Sequence, residues 1–202
     1  MPENNNSLVY RNIYLYRIIL NILYFGKYKQ RYNSIINQIN TKYDKEIIEL
    51  CFGDTIIGEW CKKNNLNWLG IDINENFISN ANKKELNVLQ AFIDENINLK
   101  KSDLVIISGS LYHFNDNIEK FIENILLNTK KIIILEPIFN LSSIRILKKF
   151  LISSSNIESK QHNYRFTKEH LKDIFNKLDR SIYDVKIYYP NWKDLMAIVI
   201  KK

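Results

Sequence analysis

This chain predicts an α/β fold: a doubly wound, mostly parallel sheet. Three observations predict it. From residue 46 onward, short apolar runs bounded by turn residues alternate with amphipathic helical stretches. The run Asp103-Leu104-Val105-Ile106-Ile107-Ser108-Gly109 has an apolar centre without alternation, as a central parallel strand covered on both faces requires. The last two strand segments are separated only by a short turn around Pro190-Asn191-Trp192. So brief a link joins antiparallel neighbours. The expectation is a seven-stranded sheet with one antiparallel strand near the C-terminus.

The elements follow in order. Residues 8–40 read as one long or two shorter helices, breaking near Gly26. Residues 46–51 form the first strand, and 56–64 a helix with Ile57, Trp60 and Cys61 on one face. Trp68 to Ile71 is the second strand. Asn74 caps a helix reaching Lys84, and Val88 to Ile93 is the third strand. After the fourth strand, Asp116 to Leu127 carries an apolar stripe at helical spacing. Lys131 to Glu136 is a fifth strand stopped by Pro137. Thr167 caps a helix to Leu178, and the strands 181–189 and 195–200 complete the chain. Residues 1–44 are expected to be a helical cap and 45–202 the sheet domain, with a lid insertion at about 138–165.

Composition narrows the function classes. With 46% hydrophobic and 25% charged residues, the 202-residue chain suits one domain with a core. The net charge of +7 comes from scattered lysines, which fits a solvated surface better than a nucleic-acid patch. Two cysteines without metal-ligand spacing, and a polar, acidic start unlike a secretion signal, fit a reducing cytoplasm. Leu8 to Phe25 is rich in Ile, Leu and Tyr, but Arg11, Asn12, Arg17 and Asn21 make it a poor membrane span. It suits a basic amphipathic helix that lies on a membrane or covers a pocket. Oligomeric state is not written in the sequence.

The chemistry concentrates at two strand ends. Ile47-Ile48-Glu49-Leu50-Cys51-Phe52-Gly53-Asp54-Thr55 breaks from a strand into a tight turn, where Gly53 lets a ligand approach the main chain. The helix that follows aims its amides at the same place. Asp72 ends the next strand, 72 − 49 = 23 residues after Glu49. A carboxylate there accepts hydrogen bonds from the vicinal hydroxyls of a ribose. Cys51 and Thr55 flank Gly53, so the GxGxxG dinucleotide fingerprint is absent.

Glu49-Leu50-Cys51-Phe52-Gly53-Asp54-Thr55 resembles the first motif of class I S-adenosylmethionine-dependent methyltransferases, E/D-x-G-x-G. Gly70-Ile71-Asp72-Ile73-Asn74 is similar to their second motif, Ser108-Gly109-Ser110-Leu111-Tyr112-His113-Phe114 to their fourth, and Ile134-Leu135-Glu136-Pro137 to the end of their fifth strand. Tyr164-Arg165-Phe166-Thr167 before a helix is frequent in members acting on small molecules. The resemblance covers about residues 45–202. It implies a Rossmann-like fold, S-adenosyl-L-methionine as cofactor and S-adenosyl-L-homocysteine as product. It implies that the backbone at Glu49, Leu50, Cys51 and Gly53 holds the methionyl end and Asp72 the ribose. Ile73 stacks on adenine, Phe92 and Ile93 or Asp94 border it, and Ser110 and Leu111 line the sulfonium side. Thr55 departs from the family glycine, and Phe92 from the Asp that many members carry.

Tyr112 and His113 follow the fourth strand on the ligand edge and are the candidate catalytic and substrate-contacting residues. His113 is either a general base or a strand-end histidine bonded to backbone, and Tyr112 a pocket wall or an acid. Glu136 either orients a substrate amine or caps the lid. Arg31 and Tyr32 reach the cofactor carboxylate or simply pack. The favoured function is methyl transfer to O, N or C of a small molecule. A nucleic-acid methyltransferase is the first alternative, although no Asn-Pro-Pro-Tyr-like stretch follows the fourth strand. An inactive methyltransferase-like binding protein is the second, and a nicotinamide oxidoreductase a weaker third. No metal site is expected.

Overall fold

The computed structural model describes residues 12–114, 117–138 and 166–202. Two N-terminal helices, α1 (Ile13–Leu23) and α2 (Tyr28–Ile36), precede the sheet. They break where Phe25 and Gly26 take φ of 49° and 78°. The sheet strands are β1 (Glu46–Leu50), β2 (Asn67–Asp72), β3 (Val88–Gln90), β4 (Ser102–Ser108), β5 (Thr129–Pro137), β6 (Tyr183–Tyr188) and β7 (Asp194–Lys201). Between them run α3 (Ile56–Lys63), α4 (Glu75–Asn82), α5 (Ile118–Asn128) and α6 (Lys168–Lys177). Asn74 and Thr167 cap α4 and α6 through their side chains, as their positions before the apolar stripes require.

The strands lie in the order β3-β2-β1-β4-β5-β7-β6. β1, β2, β3, β4 and β5 pair in parallel, and β7 runs antiparallel to both β5 and β6. The expected lone antiparallel strand is therefore β7, inserted between β5 and β6. β3 is shorter than its sequence predicts. It pairs with β2 only at Val88, Leu89 and Gln90, so Phe92 and Ile93 lie in the chain beyond it. The expected lid at about 138–165 lies, apart from Ile138, outside the described residues, and with it Tyr164 and Arg165.

Helices cover both faces. α5 and α6 press Phe121, Ile122, Ile125, Leu171, Ile174 and Phe175 onto Ile48, Leu50, Val105, Ile107, Ile132 and Ile134. On the other face α2, α3 and α4 bring Tyr32, Ile35, Ile57, Cys61, Phe77 and Ala81 against Ile47, Leu104, Ile106 and Ile133. α2 thus belongs to a layer of the sandwich. The strand order reverses between β1 and β4, and chains leaving those two strands in opposite directions open a crevice at their carboxyl ends.

The packing is tightest where Gly70 faces Phe52 and Trp68. A Cβ on Gly70 would sit 2.8 Å from Phe52 and closer still to the Trp68 ring. Gly70→Ala is expected to lower stability by about 1–3 kcal/mol through overpacking, read as a lower urea midpoint at unchanged slope.

Candidate functional site

The crevice is built from the turns after β1, β2 and β4. Past Leu50 the chain reverses through Cys51 (φ 51°) and Gly53 (φ 57°). The Cys51 amide donates to the Ile71 carbonyl at 2.7 Å, so the turn is tied to β2. Cys51 accepts a left-handed conformation that glycine adopts without strain. Thr55 has a negative φ (−86°, with ψ 8°), so its backbone does not call for the family glycine.

Asp72 lies beneath this turn. Its Oδ2 accepts from the Gly53 amide at 3.1 Å and its Oδ1 from the Asn74 amide at 2.8 Å. Burial raises its pKa, against the lowering effect of the bonds from Asn74, Gly53 and Ile73. A carboxylate offers about four acceptor positions, so these three bonds leave about one for a ligand hydroxyl. Beside Asp72, Ile73 and Phe92 are exposed, while Ile93 is buried in the core. The Gln90 side-chain amide holds the Ile73 carbonyl at 3.1 Å, and the Ala91 amide holds that of Asp72 at 3.1 Å.

The opposite wall follows β4. Gly109 (φ 69°) donates to the Leu135 carbonyl at 2.8 Å. The Ser110 and Leu111 amides both donate to Glu136 Oε1, at 2.7 and 2.8 Å. Glu136 is buried and fixes this loop from beneath. The Ser108 hydroxyl is buried without a hydrogen-bond partner among the described residues, and the Ser110 hydroxyl is buried beside the Cys51 thiol. Leu111–Phe114 form a single 3₁₀ turn. On it His113 is exposed and Tyr112 half-buried, their ring centres 4.1 Å apart.

The N-terminal helices close over these walls. The Tyr16 hydroxyl rests on Gly53, where a Cβ would meet it at 2.9 Å. The Arg31 guanidinium rests on Gly109, where a Cβ would meet Nη2 at 2.9 Å. Arg31 is buried, donates to the Leu135 carbonyl at 3.1 Å and lies 3.5 Å from Asp194. Its buried Nε has no hydrogen-bond partner among the described residues. Arg17 clasps the buried Asp54 in a fork, Nε to Oδ2 at 2.9 Å and Nη2 to Oδ1 at 2.6 Å. Tyr28 donates to the same carboxylate at 3.1 Å and meets the Tyr32 hydroxyl at 3.1 Å.

Glu49 points away from the crevice edge, into the layer beneath α2 and α3. It is fully buried, and its Oε2 accepts from the Trp68 indole at 3.0 Å while Oε1 has no partner among the described residues. Sequence reasoning missed Arg17, Asp54, Ser108 and Asp194. Asp54 stands inside the first motif, but its partner Arg17 is 37 positions away and no spacing links the two. A shallow cavity of about 380 Å³ lies at the opposite, amino edge of the sheet, lined by Glu46, Gly58, Lys62, Trp68 and Lys100. It lies apart from the crevice. No group of three or more metal-ligating side chains occurs among the described residues.

No protein-family profile matches the chain, and no curated protein is similar to it in sequence. Solved structures are similar in fold. The DhpI complex with S-adenosylmethionine superposes at a TM-score of 0.64 with 13% identity, over 98% of this chain and 99% of that one. A S-adenosylmethionine-dependent methyltransferase from Archaeoglobus fulgidus gives 0.62 and 19%, over 92% and 100%. Magnesium protoporphyrin IX methyltransferase from Synechocystis PCC 6803 with bound S-adenosylmethionine gives 0.61 and 11%, over 98% and 93%. The fold is that of class I S-adenosylmethionine-dependent methyltransferases.

Burial pushes the Glu49 carboxyl well above its ordinary 4.5; the Trp68 bond lowers it, and Asp54 and Asp72 raise it further. The folded chain therefore holds a proton that the unfolded chain releases above about pH 4.5. Stability falls as pH rises from there toward the folded pKa. Glu49→Gln keeps an acceptor for Trp68 and removes this dependence. Melting curves across pH should show the variant gaining on the native chain as pH rises and the two converging near pH 4.5.

Proposed function

We propose that the chain binds S-adenosyl-L-methionine at the β1–β4 crevice and transfers its methyl group to a small-molecule acceptor. One observation carries the reading. Next to the point where the strand order reverses, Asp72 at the end of β2 is locked beneath the Gly53 amide of the β1 turn with acceptor capacity to spare. The residues around it fit an adenosyl sulfonium. Ile73 and Phe92 expose apolar surface beside Asp72 for a purine ring. On the facing wall the hydroxyls of Ser108 and Ser110 are buried, that of Ser110 beside the Cys51 thiol.

In this reading Asp72 accepts from a ribose hydroxyl. Ile73, Phe92 and Ile93 border the adenine. The main chain at Glu49, Leu50, Cys51 and Gly53 runs along the methionyl portion, whose carboxylate Arg31 neutralises. Ser110 and Leu111, held by Glu136, line the sulfonium side. Bound there, the cofactor supplies a methyl on a positively charged sulfur and leaves as S-adenosyl-L-homocysteine. Such a transfer gains most from holding the acceptor in line and away from water. α1 and α2, clamped by the Arg17–Asp54 fork, would exclude that water. His113, exposed on its turn, takes a proton from an acceptor hydroxyl or amine, and Tyr112 walls the acceptor. Glu136 acts on the acceptor indirectly, through the loop it fixes. The lack of an Asn-Pro-Pro-Tyr-like stretch after β4 supports a small molecule over a nucleic-acid base.

Titration calorimetry with S-adenosyl-L-methionine and S-adenosyl-L-homocysteine tests the reading. Asp72→Ala should weaken binding by about 1.5–3 kcal/mol, roughly ten- to over a hundredfold. An unchanged dissociation constant, or a native chain that binds neither compound, would overturn it.

A further inference from the structure

α1 is apolar on both sides. Ile13, Tyr16, Leu20 and Tyr24 pack onto the protein. Tyr14, Ile18, Ile22 and Phe25 project from the other side, 72, 57, 62 and 67% exposed. Tyr14, Ile18 and Ile22 are four apart and fall in one row along the helix, and Phe25 follows just past its end. This stripe extends to Trp192, 61% exposed, whose ring stacks on Phe25 at 6.3 Å between centres. The Lys193 ammonium anchors this corner by donating to the Leu23 carbonyl. Scattered exposed apolar residues are ordinary, but a contiguous stripe of this length is a contact surface. The inner contacts of α1 do not use Tyr14, Ile18 or Ile22.

The surrounding charge indicates the partner. No Asp or Glu occurs along α1 or in the break that follows it, and Lys27 and Lys29 are exposed just beyond. Near Trp192, the Lys168 and Lys172 ammonium groups lie 4.4 and 5.8 Å from the centre of the Tyr189 ring. The whole chain carries +7. A second copy would bring like charge against like. A nucleic acid would find aliphatic side chains at Ile18 and Ile22 with nothing to stack on or hydrogen-bond to.

We propose that this stripe is a docking surface for an anionic phospholipid membrane. α1 lies in the plane of the interface, with Tyr14, Ile18, Ile22, Phe25 and Trp192 entering the acyl boundary and the lysines facing the headgroups. Its 11 residues span about 16 Å, about half a hydrocarbon core, so the helix rests on the bilayer and does not cross it. Accordingly, no helix among the described residues is long and apolar enough to span. This inference does not depend on the methyl-transfer reading.

Vesicle sedimentation of the full chain tests it. The chain should pellet with vesicles containing about one third phosphatidylglycerol, weakly with phosphatidylcholine alone, and less at high salt. Replacing both Ile18→Asn and Ile22→Asn should cut the bound fraction at least about fivefold, with circular dichroism and melting unchanged because both side chains are exposed. Phe25→Ser with Trp192→Ser is an independent second variant with the same expected loss. The proposal is overturned if the native chain does not pellet with anionic vesicles or if folded variants pellet undiminished. It is equally overturned if light scattering shows a dimer that the substitutions break and vesicles do not bind.

Discussion

The hydrogen bond from the Gly53 amide to Asp72 organises the carboxyl edge, because it joins two turns that the sheet alone would leave independent. β1 and β2 are parallel neighbours, and their following turns share no ladder bonds. One carboxylate accepting from Gly53 and Asn74 sets the turn after β1 and the entry to α4 together. Cys51 adds a second tie through the Ile71 carbonyl. Ties of this kind fix the backbone of both turns in one arrangement, beneath Tyr16 on Gly53. Glu136 does the same for the other wall, with the Ser110 and Leu111 amides converging on one oxygen.

Above these walls the N-terminal helices contribute charge as well as cover. Asp54 is fully buried and would be costly alone, but the Arg17 fork and Tyr28 satisfy it. Asp194 is likewise buried, facing Arg31 and accepting from Tyr24 at 2.9 Å. Two carboxylates on the sheet domain thus bind two arginines on α1 and α2. The helices are held by paired charges and aromatic packing, Tyr16 on Phe77 among them. The apolar material of α1 is thereby divided between an inner face that packs and an outer face left for a partner.

Much of the fold was legible because its signals are local. The apolar run of β4 predicts a strand buried on both faces, and Leu104, Val105, Ile106 and Ile107 are all fully buried. Asn74 and Thr167 announce α4 and α6 one residue ahead. The end of β3 was less legible: Phe92 and Ile93 continue an apolar pattern, but β2 stops at Asp72 and leaves them no partner beyond Gln90. Gly53, Asp72 and Ser110 could be placed along the crevice from their positions at strand ends. Glu49 stands in the same motif as Gly53, yet the alternation of β1 turns its side chain into the α2–α3 layer.

The sequence by itself determined which segments become strands and helices, and that an acid and a glycine stand at neighbouring strand ends. Those facts follow from periodicity and turn chemistry within a few residues. Only the tertiary structure decided that Arg17 reaches Asp54, that Arg31 lies on Gly109, that Glu136 holds Ser110, and that half of α1 faces outward. Each joins residues distant in the chain. Their pairing depends on how packed layers bring charges and surfaces together, and no local pattern encodes that.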